Sequence, residues 1–520
     1  MQNTIMQGVH LIVAFPQWYL NYNLALLLKN GKTEKGESLK DVKLQFKNSN
    51  CWLSGKISKM WTNVYVNGTT NKVKFIISFA EGCMDYYDIE QVPPEKKQAK
   101  IDGLQFGFDV DLSIENLKSD KIISADVKKQ VEKLLNNYGE GAVTIKQLFM
   151  DFQNAALSQY DATVTVFPDS MDASAKQMFH KYLEVYLLEL KKAGGNVLGY
   201  AVNINNPGQV QDPVATFPPT SVNLVTNQYQ GGSSKFDTSL DTIHYLLMTQ
   251  GQSLPDIQNK YWGNYIVPGD DKLGRYGAMA ISNDLFIKKY ILVKTAQFVN
   301  KYWTFTNNTK SLDPQYTEKS GEFVSTTTGG KFNSSVTSGY SATAANDAYF
   351  NFSVTTTLSP VENTNKIMIK RVTDFDIKVV HWYGIKNHAL NSHIKVYYHV
   401  PVAITIELIG ISEGKLAVNI TSKMPEPDPS AVYSDEYGWL CTGVEGGIPG
   451  WKGVGEEMEK QITKFVKLAI LEGTLPKLKD EIENSLRLEP FVFPYGSQLF
   501  MRDPSFNNEG DLLIGLQYKM

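Results

Sequence analysis

The sequence predicts an α+β fold, mostly antiparallel β, built as two tandem modules in which a long curved antiparallel sheet wraps a long helix. Three observations carry that expectation. One ordered set of segments occurs twice, two long stretches alternate apolar and polar residues, and the few helical stretches are strongly apolar.

The doubling comes first. Phe15 to Leu24 holds Trp18-Tyr19-Leu20 and then Leu24, and Ser282 to Ile291 holds Leu285-Phe286-Ile287 and then Ile291. Each follows a short apolar run, Leu11 to Phe15 or Gly277 to Ile281. Later, Gln147-Leu148-Phe149-Met150 matches Gln498-Leu499-Phe500-Met501. The order is kept while the spacing grows, so the second copy is expected to carry a Ser/Thr/Gly-rich insertion near 319–365. The expected division is 1–230 for the first module and 231–520 for the second, with the Pro-rich run from Pro207 to Pro219 as connection.

In chain order, Trp18 to Leu28 is apolar on nearly every side and stops at Gly31, the pattern of a helix enclosed by other elements. From Leu104 to Ile114 the residues Leu104, Phe106, Phe108, Val110, Leu112 and Ile114 alternate with polar ones, a strand with one buried and one wet face. Ser174 to Lys192 sets Met178, Phe179, Tyr182, Leu183, Tyr186 and Leu190 at helical spacing before Gly194-Gly195. Ile394 to Leu408 is a second alternation, nearly 50 Å long at about 3.3 Å per residue, with Pro401 marking an edge or bulge. Between Ser320 and Ala345 the composition suits polar loops or outward-facing strands. Met458 to Ile470 is a further helical stripe through Ile462, Phe465, Val466 and Ile470. Pro476 breaks it, and Leu478 and Ile482 resume it.

Composition narrows the function. Aromatics make up 12% of 520 residues, with 27 Tyr and 25 Phe, which favours strands. Lys plus Arg number 51 against 54 Asp plus Glu, and a net charge of -3 offers no global attraction for nucleic acid. Three scattered cysteines, Cys51, Cys83 and Cys441, make neither a disulfide framework nor a zinc site. The start of the chain lacks a basic region before its apolar run, and no stretch approaches about 18 uninterrupted apolar residues. The expectation is cytoplasmic synthesis without a standard signal peptide or transmembrane helix, with release by a non-classical route.

No phosphate-binding glycine loop, His-Glu-x-x-His or Gly-x-Ser-x-Gly elbow occurs, so neither a catalytic residue, a metal nor a cofactor is assigned. Asp109 and Asp111 share a strand face as paired acid-base carboxylates would, but the periodicity favours the solvated face of a half-buried strand. His381, His388, His393 and His399 fit no helical ligand spacing. Asp374 and Asp376 read as an exposed strand face. Glu436 to Glu457 holds seven glycines with Trp439 and Trp451 between them. That suits a lid or membrane-touching loop, or a packed loop that plugs the end of a module.

Ser239-Leu240-Asp241-Thr242-Ile243-His244-Tyr245-Leu246-Leu247-Met248-Thr249 resembles a segment of the OrfX group and its forty-seven-kilodalton relative, accessory proteins of clostridial neurotoxin gene clusters. Ala278 to Leu292 is similar to the same group, as is Phe491-Val492-Phe493-Pro494-Tyr495-Gly496 with Phe500, Phe506 and Gly510-Asp511-Leu512. The resemblance implies the tubular lipid-binding (TULIP) architecture, association with lipid or a membrane surface, and other toxin-cluster proteins as partners. With it, the expected function is a non-enzymatic, lipid-binding accessory protein acting through lipid or partner-protein contact. Phe106, Phe108, Ile462, Phe465, Val466 and Ile470 are then the lipid-facing residues, and Trp439 and Trp451 the membrane or lid loop. A structural or assembly protein with solid modules and a protein-binding surface is the alternative, and a glycan-acting hydrolase a distant one.

Overall fold

The computed structural model describes residues 3–33, 35–45, 50–66, 69–117, 128–129, 132, 143–204, 216–231, 238–258, 260–295, 314–319, 323–326, 331–342, 346–385, 388–409, 417–423, 475–485, 491–492 and 499–518. Over these residues the molecule is mostly antiparallel β with few helices, and one sheet curls into a half-barrel. The first half runs β1 (Asn3–Thr4), β2 (Leu11–Pro16), α1 (Gln17–Asn30), β3 (Asp41–Gln45), β4 (Trp52–Asn63), β5 (Lys72–Asp88), β6 (Glu95–Lys100), β7 (Gln105–Leu117), β8 (Val143–Met150), α2 (Ala173–Lys192), β9 (Val197–Ile204) and β10 (Pro219–Asn227). There follow β11 (Thr242–Thr249), β12 (Gly263–Asn264), β13 (Gly277–Ile281), a π-helix (Asp284–Ile291), β14 (Pro314–Lys319), β15 (Phe323–Thr326), β16 (Lys331–Ala342) and β17 (Asn346–Pro360). The chain ends with β18 (Lys366–Ile385), β19 (His388–Ile409), β20 (Ala417–Lys423), α3 (Leu475–Ser485), β21 (Phe491–Val492), β22 (Leu499–Phe506) and β23 (Leu512–Tyr518).

A six-stranded sheet in the order β10-β11-β2-β13-β23-β22 joins the two halves. At its centre β2 pairs antiparallel with β13, from Ala14↔Ala278 to Leu11↔Ile281. Each of these strands leads into a helix, one starting at Gln17 and the other at Asp284, positions 267 apart, the offset at which the sequence repeats. The doubled strand-helix units therefore hydrogen-bond to each other, and a hairpin flanks the pair on either side. The expected boundary at 230/231 falls between β10 and β11, which pair along their length, so the sheet joins what that boundary separates.

This sheet is buried on both faces. Leu11, Val13 and Phe15 enter the main core, while Ile12 and Ala14 enter a second cluster with Trp262, Tyr265 and Ile266. A strand covered twice reads as a continuous apolar run rather than an alternation, and β2, β11 and β13 are buried throughout.

The second matched pair of segments does not hold. Gln147 to Met150 ends β8, between β7 and β9. Leu499 to Met501 opens β22, beside β23 in the six-stranded sheet. The place corresponding to β22 across the central seam belongs to β10, so four identical residues here mark no common ancestry of position.

The eight-stranded sheet runs β21-β9-β8-β7-β5-β4-β3, with β6 also on β5. The first part of β5 pairs with β7 and its last part with β6. Between them sits Gly82, at φ +157°, where a Cβ would meet the Gly55 Cα and the Ser54 carbonyl at 2.7 Å. Only glycine lets the neighbouring strand come so close at this bend. The concave face holds α2, whose Asp172 cap accepts from Ala175 N–H at 2.7 Å and from the Tyr86 hydroxyl at 2.8 Å. Phe179, Tyr182, Leu183, Tyr186 and Leu190 of α2 are buried against the sheet, and the Tyr182 and Tyr186 hydroxyls donate to the Asp85 and Leu39 carbonyls.

The seven-stranded sheet runs β14-β16-β17-β18-β19-β20, with β15 on β16. The Ser/Thr/Gly-rich stretch near 319–365 supplies β15, β16 and β17 of this sheet. The expected long strand is present as β19, 22 residues paired along β18. Pro401 sits opposite Val372, two residues before β20 begins to pair at Ala403, so among the described residues β19 has an open edge there. Leu475, Leu478 and Ile482 of α3 are buried in the same core as Ile404, Ile406 and Val418. The expected helix from Met458 to Ile470 lies outside the described residues.

Candidate functional site

The site is built around α1. Pro16 ends β2, and the chain turns directly into the helix, with Gln17 N–H donating to the Asp241 carbonyl at 2.7 Å. Gln17 and Asn21 stand one turn apart on the same helix face. The Gln17 Oε1 accepts from Val64 N–H at 2.7 Å. The Asn21 Oδ1 accepts from Thr62 N–H at 2.7 Å and from the Thr62 hydroxyl at 3.0 Å, and the Asn21 amide donates back to the Thr62 carbonyl at 3.0 Å. Two amides thus pin the helix to the end of β4. The expectation of an all-round apolar, enclosed helix is corrected here, since Tyr22 is 47% and Leu26 39% exposed and the binding to β4 is polar. Nothing in an apolar pattern separates a clamping amide from a tolerated one. The signal that could have found them is the i, i+4 spacing.

Next to this anchored face, Tyr19, Leu20, Asn23 and Leu24 of α1 line an apolar cavity of about 40 Å³. Its other walls are Phe15 of β2, Ile243 and Tyr245 of β11, Val73 of β5, Met150 of β8 and Leu198 of β9. The cavity therefore sits where the six-stranded sheet, the curled sheet and α1 meet. The Phe15 ring packs edge-on to that of Tyr245 at 5.6 Å, and the Tyr245 hydroxyl donates to the Leu198 carbonyl at 3.1 Å. Burial pushes this phenol far above its ordinary range, so it stays a neutral donor. The lining includes no carboxylate, histidine or cysteine. Such a wall can hold apolar matter, and it offers no acid-base pair.

The sequence-predicted residues fall elsewhere or outside the described chain. Phe106 and Phe108 of β7 are fully buried. Phe106 lies 5.5 Å from both Phe179 and Tyr160 and 5.2 Å from His180, and Phe108 lies 5.8 Å from Phe75, so protein rings surround both. Ile462, Phe465, Val466, Ile470, Trp439 and Trp451 lie outside the described residues. Asp109 and Asp111 point outward, opposite Lys74 and Lys72 on β5, at 3.9 and 3.5 Å. Lys74 also bonds Asp161. That is the solvated-face reading with its counterions. His381, His388, His393 and His399 all fall on the β18–β19 pair, with His399 opposite Asp374, and among the described residues no three His, Cys, Asp or Glu are placed to hold a metal ion.

Two of the segments that resemble the toxin-cluster group, and part of the third, fall in the six-stranded sheet. Ser239–Thr249 gives β11, Ala278–Leu292 gives β13 and its helix, and the terminal segment gives β22 and the start of β23, while its Phe491–Val492 forms β21 beside β9 in the eight-stranded sheet. Asp511, at the entrance to β23, is buried and accepts from Asn283 N–H at 2.8 Å and from the Asn507 amide at 3.2 Å. Burial raises its carboxyl above the usual carboxylate range. Of the elements that carry the resemblance, β11 and β13 both pair with β2 of the first half.

No family model matches the chain, and the curated proteins give no match. Among solved structures, P47 from Clostridium botulinum A2 superposes with a TM-score of 0.53 at 12% identity, over 99% of this chain and 98% of that one. P47 of Clostridium botulinum E1 gives 0.48 at 11% identity, over 99% and 100%. A lipopolysaccharide binding protein gives 0.33 at 9% identity, over 98% and 99%. At such identity the first of these establishes likeness of fold, and the resemblance drawn from the sequence is met at that level.

Proposed function

We propose that the chain is a non-enzymatic accessory protein of two tubular modules, 1–230 and 231–520, that acts by contact with lipid, taking an acyl chain in the cavity beneath α1. The observation that carries this reading is the cavity itself, lined mostly by apolar side chains and placed at the joint between two sheets. The fold likeness to a clostridial P47 supports the accessory role and other toxin-cluster proteins as partners. At about 40 Å³ the cavity holds water-sized matter, whereas ligand pockets span roughly 300–1,000 Å³. Uptake therefore requires α1 to swing outward, which breaks the Gln17 and Asn21 hydrogen bonds to Val64 and Thr62, while its Tyr22 and Leu26 side chains, 47% and 39% exposed, lie on the solvent side.

Uptake of a fluorescent fatty acyl probe, together with native mass spectrometry of the chain purified gently, tests the reading. Leu20→Trp fills the cavity from a half-buried position and should abolish uptake without unfolding the chain. A clean apo mass with no probe exchange in the unaltered chain defeats lipid carriage. That outcome favours the second reading, an assembly protein with solid modules, for which the ring cluster around Phe106 and Phe108 is the specific observation.

A further inference from the structure

The hairpin joining β5 to β6 places eight consecutive exposed residues, 89–96, at one end of the curled sheet. Its apolar members are unusually bare, with Val92 96% and Ile89 62% exposed, followed by Pro93 and Pro94. Two rings stand just behind them, Trp52 at 49% and Tyr87 at 43%. The register puts Tyr87 opposite Lys96 and Asp85 opposite Gln98, while Trp52 N–H reaches the Asp85 carboxylate at 3.4 Å. The Lys96 ammonium donates to the Asn50 carbonyl at 2.6 Å, which ties the hairpin to the turn before β4. Single exposed apolar residues are ordinary on a protein surface, but four large ones gathered on one projecting end are not.

From this gathering we infer that the β5–β6 hairpin with Trp52 is a docking surface for the interface of a lipid bilayer, distinct from the cavity beneath α1. Aromatic rings one layer behind an aliphatic tip match the headgroup and acyl depths that those side chains prefer. Charge selects the kind of membrane. Lys96 pairs with Asp85 at 3.0 Å and Lys97 with Asp88 at 2.7 Å, and Glu90 and Glu95 stand beside them. The end therefore carries no positive surplus for anionic headgroups, and its attraction is apolar. Other partners fit less well. The four side chains offer on the order of 500 Å² against about 800 Å² per side for a stable protein interface, and Pro93-Pro94 has no N–H with which to add a strand. Because residues 89–94 lie beyond the last pair of the β5–β6 ladder, Asp88↔Glu95, the hairpin rests at the interface rather than crossing it.

Flotation of the full chain with phosphatidylcholine vesicles tests this. The unaltered chain should partition, and Ile89→Asp/Val92→Asp should lower its partition coefficient by at least about tenfold with little change in melting temperature, because Val92 is almost fully and Ile89 mostly exposed. Raising salt from about 0.05 to 0.5 M should change binding less than about twofold. Trp52→Phe should reduce quenching by brominated lipid. Should the double variant melt early, Val92→Ser, which alters one almost fully exposed side chain, gives the same readout. Absence of partitioning by the unaltered chain, undiminished binding of Val92→Ser, or collapse of binding with salt would each overturn the proposal. Leu20→Trp separates this surface from the cavity. Vesicle binding should persist when probe uptake is lost, and vesicle binding that falls with uptake would assign the contact to the cavity instead.

Discussion

His244 is wholly buried in β11, with Nε2 2.8 Å from the Thr242 hydroxyl and its ring 4.8 Å from that of Tyr265. Burial lowers its pKa to about 3. His10 and His180 are lowered by burial as well. An unfolded histidine takes a proton near 6.5, while the folded His244 refuses it until far lower pH, so its contribution to stability is present above 6.5 and is lost as pH falls from there toward 3. Between pH 7 and pH 5 this single group should remove about 2 kcal/mol. Melting followed over that range should show the loss, and His244→Gln should flatten the slope. A slope unchanged by the substitution would exclude His244 as its source. The direction of side chains along β7 was legible in the sequence, because a period of two puts Phe106 and Phe108 in and Asp109 and Asp111 out. The work of Gln17 and Asn21 was not, since a lone amide in an apolar helix looks the same whether or not a strand end receives it.

The bounds of α1 and α2 agree with the sequence to within a residue or two, as the strand before α1 and the glycines after both helices mark where each must stop. What surrounds α1 was hidden, because lining a cavity and packing a core draw on the same residues. Asn21 gives this element a measurable hold. Asn21→Ala strands the buried Thr62 N–H, carbonyl and hydroxyl, and should cost about 1–3 kcal/mol in urea unfolding. The same change should speed acyl-probe uptake, because the freed helix swings out more often. Slower uptake in Asn21→Ala would show that α1 does not gate the cavity. For α2, Asp172→Ala removes the cap on Ala175 N–H and releases the Tyr86 hydroxyl, and should cost about 1–2 kcal/mol. Asp172→Asn, which keeps an acceptor oxygen, should recover part of that loss.

Across the whole molecule, the doubling was legible wherever a strand runs straight into a helix, and it failed where a four-residue match stood in for context, as at Gln147 and Gln498. The six-stranded sheet itself could not be read, because β2, β11, β13 and β23 are each covered on both faces and so lack the alternation that announces a strand. Its consequence is cooperativity between the halves. A fragment of residues 1–230 keeps β2 but loses both its hydrogen-bonded neighbours, β11 and β13. Leu11, Ile12, Val13, Ala14 and Phe15, all buried in the intact chain, would then face water along an unpaired strand. Exposing this much apolar surface, at about 25 cal/mol per Å², consumes a large share of the 5–15 kcal/mol that holds a domain folded. The fragment 1–230 should therefore aggregate or lack resolved side-chain NMR signals, while 1–255, which restores β11 but leaves the β13 edge of β2 open, should be intermediate. The full chain should unfold in urea as one transition when followed both by far-ultraviolet circular dichroism and by tryptophan fluorescence. If 1–230 instead melts sharply at the temperature of the intact chain, the sheet is a site of contact rather than a shared core, and the halves are independent.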